Sequence, residues 1–208
     1  MQYGICNETF GNWPLKRICE FAADAGYTGL EIAPFTLSDN PHELSSNQRD
    51  ELRRIIAQAG LECIGLHWLL AKTEGLHVAS PDADTRSRTI SYLSDLARLC
   101  RDLGGKTLVF GSPQQRSLMA DVTKQDAHLF LKEVFGALIP VLEETDTVLA
   151  LEPLAPIETD VLTTADETRR LIDLIGSPHI RLHLDVKAMA TEEQSIPEII
   201  HASAAHLE

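Results

Sequence analysis

Two acidic residues stand where only chemistry accounts for an acid. Glu152 closes the apolar run Val148-Leu149-Ala150-Leu151, and Asp185 closes Ile180-Arg181-Leu182-His183-Leu184. Both runs have the character of buried parallel strands, which are nearly continuous in apolar residues because both faces are covered. A carboxylate at the end of such a strand must be neutralised by a proton, a partner or a metal. If the two acids lie on neighbouring strands and face one axis, their charges repel unless a cation bridges them or one is protonated. Oxygen ligands joined by a histidine suit Mn²⁺, Mg²⁺ or Co²⁺ better than a thiolate-type zinc site. Residues two apart on a strand share a face, so Ala150 points with Glu152, and His183 with Asp185 and Lys187. His183 lies deeper than Asp185 and is expected to make a core hydrogen bond.

Other polar residues cluster at the ends of apolar runs: Glu31, His67 with Trp68, Arg116 and Glu158. His67 and Trp68 are expected on a pocket wall; Glu31, Arg116, Glu158 and Lys187 are candidates for substrate contact. The alternatives are an ion pair at the barrel rim for Glu31, a satisfied core histidine beside a packing aromatic for His67 and Trp68, and loop solvation for Glu158 and Arg116.

The elements that must position these groups are six short apolar runs: Tyr3 to Cys6, Gly29 to Ala33, Cys63 to His67, Thr107 to Phe110, Val148 to Leu151 and Ile180 to Leu184. Helical stretches lie between them, with apolar residues at three- and four-residue spacing, as in Leu15, Ile18, Cys19 and Ala22. Gly26, Gly60, Gly104 and Gly176 stand as C-terminal stops shortly before the next strand. Ser45 or Ser46 is expected to cap the second helix, and Thr164 the fifth, the latter with Glu167 as a capping box. Strand and helix alternate throughout, which implies an α/β fold with a parallel sheet. The strands recur about every 36 residues, so eight units would need roughly 285 residues, the usual size of a (β/α)8 barrel. A chain of 208 residues has room for six. No glycine fingerprint follows the first strand, where Asn7-Glu8-Thr9-Phe10-Gly11 stands instead, and this counts against an open dinucleotide-binding sheet.

Composition narrows the partners. The formal net charge is -13, which repels phosphate backbones and anionic membranes, so nucleic-acid and membrane partners are not expected. No run of eighteen apolar residues and no signal peptide is found, and a cytoplasmic location is expected. Cys6, Cys19, Cys63 and Cys100 lie in apolar patterns without a C-x-x-C pair and are expected to be reduced core residues. Gly105-Lys106-Thr107 echoes the end of a phosphate-binding loop, but it precedes a strand instead of following one.

Five segments in register carry a family resemblance. Gly29-Leu30-Glu31-Ile32, Gly65-Leu66-His67-Trp68, Val109-Phe110-Gly111-Ser112-Pro113 with Arg116, Leu151-Glu152-Pro153-Leu154 with Glu158, and His183-Leu184-Asp185-Val186 resemble the xylose isomerase-like TIM-barrel superfamily. Within it the chain is most similar to sugar phosphate isomerase/epimerases and ketose 3-epimerases. The resemblance implies a single TIM-barrel domain over residues 1–208 with one divalent metal, Mn²⁺, Co²⁺ or Mg²⁺. It makes Glu152 and Asp185 the first two ligands, and Glu152 also an acid/base that moves a proton at a carbon next to a carbonyl of a small sugar, sugar phosphate or polyol.

The family's remaining ligands, a histidine and a glutamate from strands seven and eight, would lie beyond Glu208. The ending His206-Leu207-Glu208 looks like the approach to strand seven, so a barrel truncated to about six units is expected; a vector-derived Leu207-Glu208 is the alternative. Where the epimerases carry a histidine three residues after the aspartate, this chain has Ala188, and Lys187 is the candidate replacement. The competing readings are a lyase or hydrolase of the same superfamily, inosose dehydratase-like or endonuclease IV-like, and an inactive binding module. An open barrel also leaves strand edges that invite pairing with a second copy, a possible route to a homo-oligomer.

Overall fold

The computed structural model describes residues 2–208. Six strands form one parallel sheet: β1 (Gly4–Cys6), β2 (Gly29–Ile32), β3 (Glu62–Leu66), β4 (Thr107–Phe110), β5 (Val148–Leu151) and β6 (Ile180–Leu182). Their spatial order is their chain order, β1-β2-β3-β4-β5-β6. A doubly wound sheet reverses its strand order at a switch point. This one never reverses, so the right-handed crossovers place the helices along one side and the sheet curls as the wall of a barrel does. The α/β TIM-barrel expectation holds.

The helices are α1 (Leu15–Asp24), α2 (Ser46–Gln58), α3 (Ala83–Leu103), α4 (Lys124–Thr145), α5 (Ala165–Ile175), α6 (Val186–Met189) and α7 (Ile196–Ser203). Gly26, Gly60, Gly104 and Gly176 all adopt positive φ at the expected helix ends, where a Cβ would be strained. Ser45 caps α2 in a capping box with Gln48. Thr164 caps α5 as expected, but the Glu167 carboxylate accepts from the Thr163 backbone N–H at 2.9 Å, one residue before the cap.

Between sheet and helices lies a continuous apolar core that includes Leu30, Ile32, Leu66, Leu108, Phe110, Leu149, Leu151, Ile180 and Leu182 from the strands, with Leu93, Leu96, Val134 and Phe135 from α3 and α4. Cys19, Cys63 and Cys100 are buried and Cys6 half-buried, all four as free thiols. Burial pushes the Cys6 and Cys19 thiols up to about 11 and Cys63 to about 12, so they stay protonated. Gly65 marks a close crossing: a Cβ there would collide with the Thr107 carbonyl of β4. Lys106, ahead of β4, pairs with Asp146, not with any phosphate-binding turn.

Past α7, Leu207 forms a parallel bridge with Leu182, and the Leu182 N–H donates to the His206 carbonyl at 2.8 Å. The segment therefore lies against β6 where a next strand would run.

Three strands stop short of the expected ends. β2 ends at Ile32, β3 at Leu66 and β6 at Leu182, so Ala33, His67, His183 and Leu184 belong to the loops at the C-terminal rim.

Candidate active site

Glu152 follows β5 directly. Its backbone N–H donates to the Phe110 carbonyl at 3.0 Å, continuing the β4–β5 ladder by one residue, and its side chain is only 7% exposed. The Arg116 Nη1 donates to the Glu152 carbonyl at 2.7 Å and fixes the backbone from behind. Gly111 lies against the carboxylate on the β4 side.

Two histidines flank that carboxylate. His67 Nε2 is 3.7 Å from Glu152 Oε2, and His183 Nε2 is 3.8 Å from Glu152 Oε1. Both lie outside hydrogen-bond range but within ion-pair range. The other His67 nitrogen, Nδ1, is 2.9 Å from Glu31 Oε2. His67 thus sits between two carboxylates. Burial works against its charge, but Glu152 and Glu31 outweigh it and raise its pKa to about 10. At neutral pH it is an imidazolium that donates to Glu31 and faces Glu152.

The groups at the cleft mouth are wetter. Glu158 Oε1 accepts from Lys187 Nζ at 2.8 Å, which raises the lysine pKa. Asp185 caps the short helix α6, its Oδ1 accepting from the Lys187 N–H at 2.9 Å. His67, Trp68, Glu152, Glu158, His183, Asp185 and Lys187 together line one cleft of about 520 Å³. That volume suits a small organic molecule. Trp68 and Ser112, on the neighbouring loops after β3 and β4, both hold positive φ, 58° and 37°. Non-glycine residues keep such strain only where the surroundings over-determine it, which is frequent at ligand sites.

The family model for the xylose isomerase-like TIM barrel matches residues 19–207. The chain belongs to that family. In sequence this xylose isomerase-like barrel is 26% identical over 217 residues to the D-psicose 3-epimerase of Enterocloster bolteae, a match covering all of this chain and 69% of that protein. It is 25% identical over 127 residues to the L-ribulose 3-epimerase of Mesorhizobium japonicum, covering 61% of this chain and 43% of that protein. In structure it superposes on the D-psicose 3-epimerase of Clostridium cellulolyticum H10, solved with D-tagatose, with a TM-score of 0.88 at 21% identity, over all of this chain and 71% of that one.

Six of the seven other residues singled out in the sequence gather around Glu152: His67, Trp68, Asp185, Glu158 and Lys187 on the cleft, and Glu31 behind His67. Arg116 departs from expectation. It is fully buried, its guanidinium engaged with the carbonyls of Glu152 and Leu162, so it supports the site from beneath and does not line the cleft. His183 departs in the opposite direction. Because β6 ends at Leu182, the ring stands on the cleft wall with its side chain 38% exposed, not in the core. The role of Gly111, whose missing Cβ leaves room for the Glu152 carboxylate, has no signal in one sequence.

In the xylose isomerase-like barrel the cleft groups that could donate to a metal are the carboxylate oxygens of Glu152 and Asp185 and an imidazole nitrogen of His183. Their chemistry fits a hard or borderline divalent cation. Their number does not complete a shell: among the described residues no group of three or more His, Cys, Asp or Glu side chains is gathered tightly enough to hold an ion. No helix among these residues is long and apolar enough to cross a membrane.

Proposed function

We propose that this chain carries the proton-transfer half of a ketose epimerase or isomerase site, with Glu152 as the base. The observation that carries the reading is a single carboxylate, 7% exposed, at the floor of a sugar-sized cleft, with an imidazolium on one side and a second imidazole on the other. That its relatives are ketose 3-epimerases supports a small ketose or related polyol as the substrate class.

In this reading Glu152 takes a proton from the carbon next to the substrate carbonyl. The C–H electron pair becomes the new C=C bond and the carbonyl π pair moves onto oxygen, giving an enediolate. The His67 imidazolium faces the Glu152 carboxylate, and cationic donors at the cleft, His67 and Lys187, face the charge that develops on oxygen. Glu158 and Lys187, held together at the mouth, bind substrate hydroxyls. Glu152 and Asp185 would hold a divalent ion, Mn²⁺, Co²⁺ or Mg²⁺, which when bound polarises the substrate oxygens. Return of the proton to the same face restores the substrate, and return from the opposite face inverts the centre.

One base is enough for exchange. A ketose incubated with the protein and Mn²⁺ in D₂O is expected to take up deuterium next to its carbonyl, followed by proton NMR, and Glu152→Gln is expected to abolish the uptake. Calorimetry with Mn²⁺ tests the metal separately, with Asp185→Asn weakening binding. No divalent-metal binding and no exchange would overturn the reading.

A further inference from the structure

Beyond Trp68 the central cleft continues into a second cavity of about 370 Å³, bounded on its far side by Glu8, Phe35, Lys72, Gln114 and Gln115. Trp68, Ser112 and Pro113 line both cavities, so the two are compartments of one groove with the indole at the seam. The indole is 44% exposed and offers a flat apolar surface there. Phe35 supplies a second ring, with Lys72 Nζ 4.3 Å from its centroid. The groove beyond the seam therefore combines aromatic surface with the amides of Gln114 and Gln115.

Charge decides between occupants. The second cavity holds one carboxylate, Glu8, and one ammonium, Lys72, and their formal charges cancel. A phosphate or carboxylate would find no surplus cation, since Lys72 shares the cavity with Glu8 and already lies over an aromatic ring. A neutral polyhydroxylated ring finds apolar surface for its C–H faces and amide donors and acceptors for its hydroxyls. Three lining residues, Trp68, Lys72 and Ser112, hold positive φ of 58°, 60° and 37° without being glycine. Half of the six such residues among those described therefore line this groove, and strain of this kind persists where a surface is held in shape by its surroundings.

We infer that this second cavity is a distal subsite for an uncharged glycosyl unit, so that the substrate is a glycosylated ketose whose reactive carbon faces Glu152. The inference rests on the ketose reading of the central cleft and extends it to the substrate's size and linkage. The linked ring leaves through the seam at Trp68, and attachment at the terminal hydroxyl remote from the carbonyl keeps the reacting carbons free at Glu152.

Three probes separate the outcomes: D-fructose, isomaltulose (glucose linked to the terminal hydroxyl of fructose), and fructose phosphorylated at that hydroxyl. Titration and saturation-transfer NMR are run on the whole chain with each. Isomaltulose is expected to bind about tenfold tighter than fructose, the worth of one or two added hydrogen bonds, with saturation reaching its glucosyl protons. The double variant Gln114→Ala, Gln115→Ala, which alters only side chains that are exposed or half-buried, is expected to lower isomaltulose to the affinity of fructose. Equal affinity for the two sugars, or saturation confined to the fructosyl ring, would overturn the subsite while leaving the ketose reading intact. Tightest binding of the phosphorylated sugar would overturn its neutral character and assign Lys72 to an anion. Failure of all three to bind would overturn the ketose reading, and the subsite with it.

Discussion

Gly111→Ala tests whether the position of the Glu152 carboxylate governs activity. A Cβ added at Gly111 would lie 2.5 Å from Glu152 Oε2, 3.7 Å from its Cδ and 3.9 Å from Leu154 Cδ1, while ordinary contact begins near 3.4 Å. Only the carboxylate oxygen is crowded, so it must swing away by about 0.9 Å to relieve the overlap. Gly111 is not among the glycines with positive φ, so alanine fits the backbone without strain. The smaller entropy of the unfolded chain with alanine, about 0.4–1 kcal/mol in favour of the variant, offsets part of the rotamer cost. Net stability should stay within about 1 kcal/mol of the parent, a melting-temperature change of roughly 2–4 °C for a chain of this size. Reactivity is another matter, because a displacement of about 1 Å at a reacting group costs on the order of a hundredfold in rate. The assay is deuterium exchange into a ketose beside a thermal melt of the same preparation. Parent-like exchange would refute the argument that Glu152 must occupy this position. A large loss of stability would show that the clash is taken up by the backbone and not by the carboxylate.

Further perturbations address the supports of the same group. In the metal-free protein the His67 ring, raised to about 10 by Glu152 and Glu31 against burial, should show no NMR titration between pH 5.5 and 8.5; a midpoint near 6.5 would refute the pairing. Because its folded pKa is raised, the stability it contributes is complete below 6.5 and is lost as pH rises toward 10, and His67→Gln should flatten that alkaline loss in urea titrations. Arg116→Met leaves the Glu152 carbonyl without its buried donor, while Leu162 keeps the Leu154 N–H at 3.2 Å, and should cost about 1–3 kcal/mol in urea unfolding; a loss under about 1 kcal/mol would show that the guanidinium is dispensable. Glu167 is held down to about 2, burial opposing its charge and His128, the Thr163 N–H and Lys124 outweighing that cost. The stability it contributes is present above 4.5 and lost as pH falls toward 2, so Glu167→Gln should show a shallower acid limb in calorimetry; identical limbs would refute it.

Much of this was readable in the residues. The strands are legible because a buried parallel strand must be apolar on both faces, and the glycines after the helices because a left-handed stop favours a residue without Cβ. Glu152 and Asp185 stood out because each breaks such a run at its C-terminal end. What was not legible depends on where ladders stop and how they shift. His183 was expected in the core because strand alternation was carried past Leu182, where β6 has already ended. The Glu31–His67 contact follows from an irregular β2–β3 register between Leu30 and Glu31, a local shift that re-aims a side chain and leaves no compositional mark. Arg116 lies in a polar loop segment whose sequence looks solvent-facing, and only the fold shows that the guanidinium turns inward to two carbonyls.

Three independent constraints act on Glu152. Arg116 and the Phe110 carbonyl fix its backbone, the bare face of Gly111 gives its carboxylate room, and the His67 imidazolium, itself braced by Glu31, supplies a compensating charge. The three constraints also fail differently. Loss of the Arg116 donor moves main chain and appears as stability; a methyl at Gly111 moves one oxygen and appears as rate at nearly constant stability. Loss of the His67 charge removes the group that titrates near 10 and appears in the pH profile. A buried acid serving only the fold would be sensitive to the first and the third but indifferent in rate to a sub-ångström displacement. Of the three, then, Gly111→Ala separates a working base from a structural carboxylate.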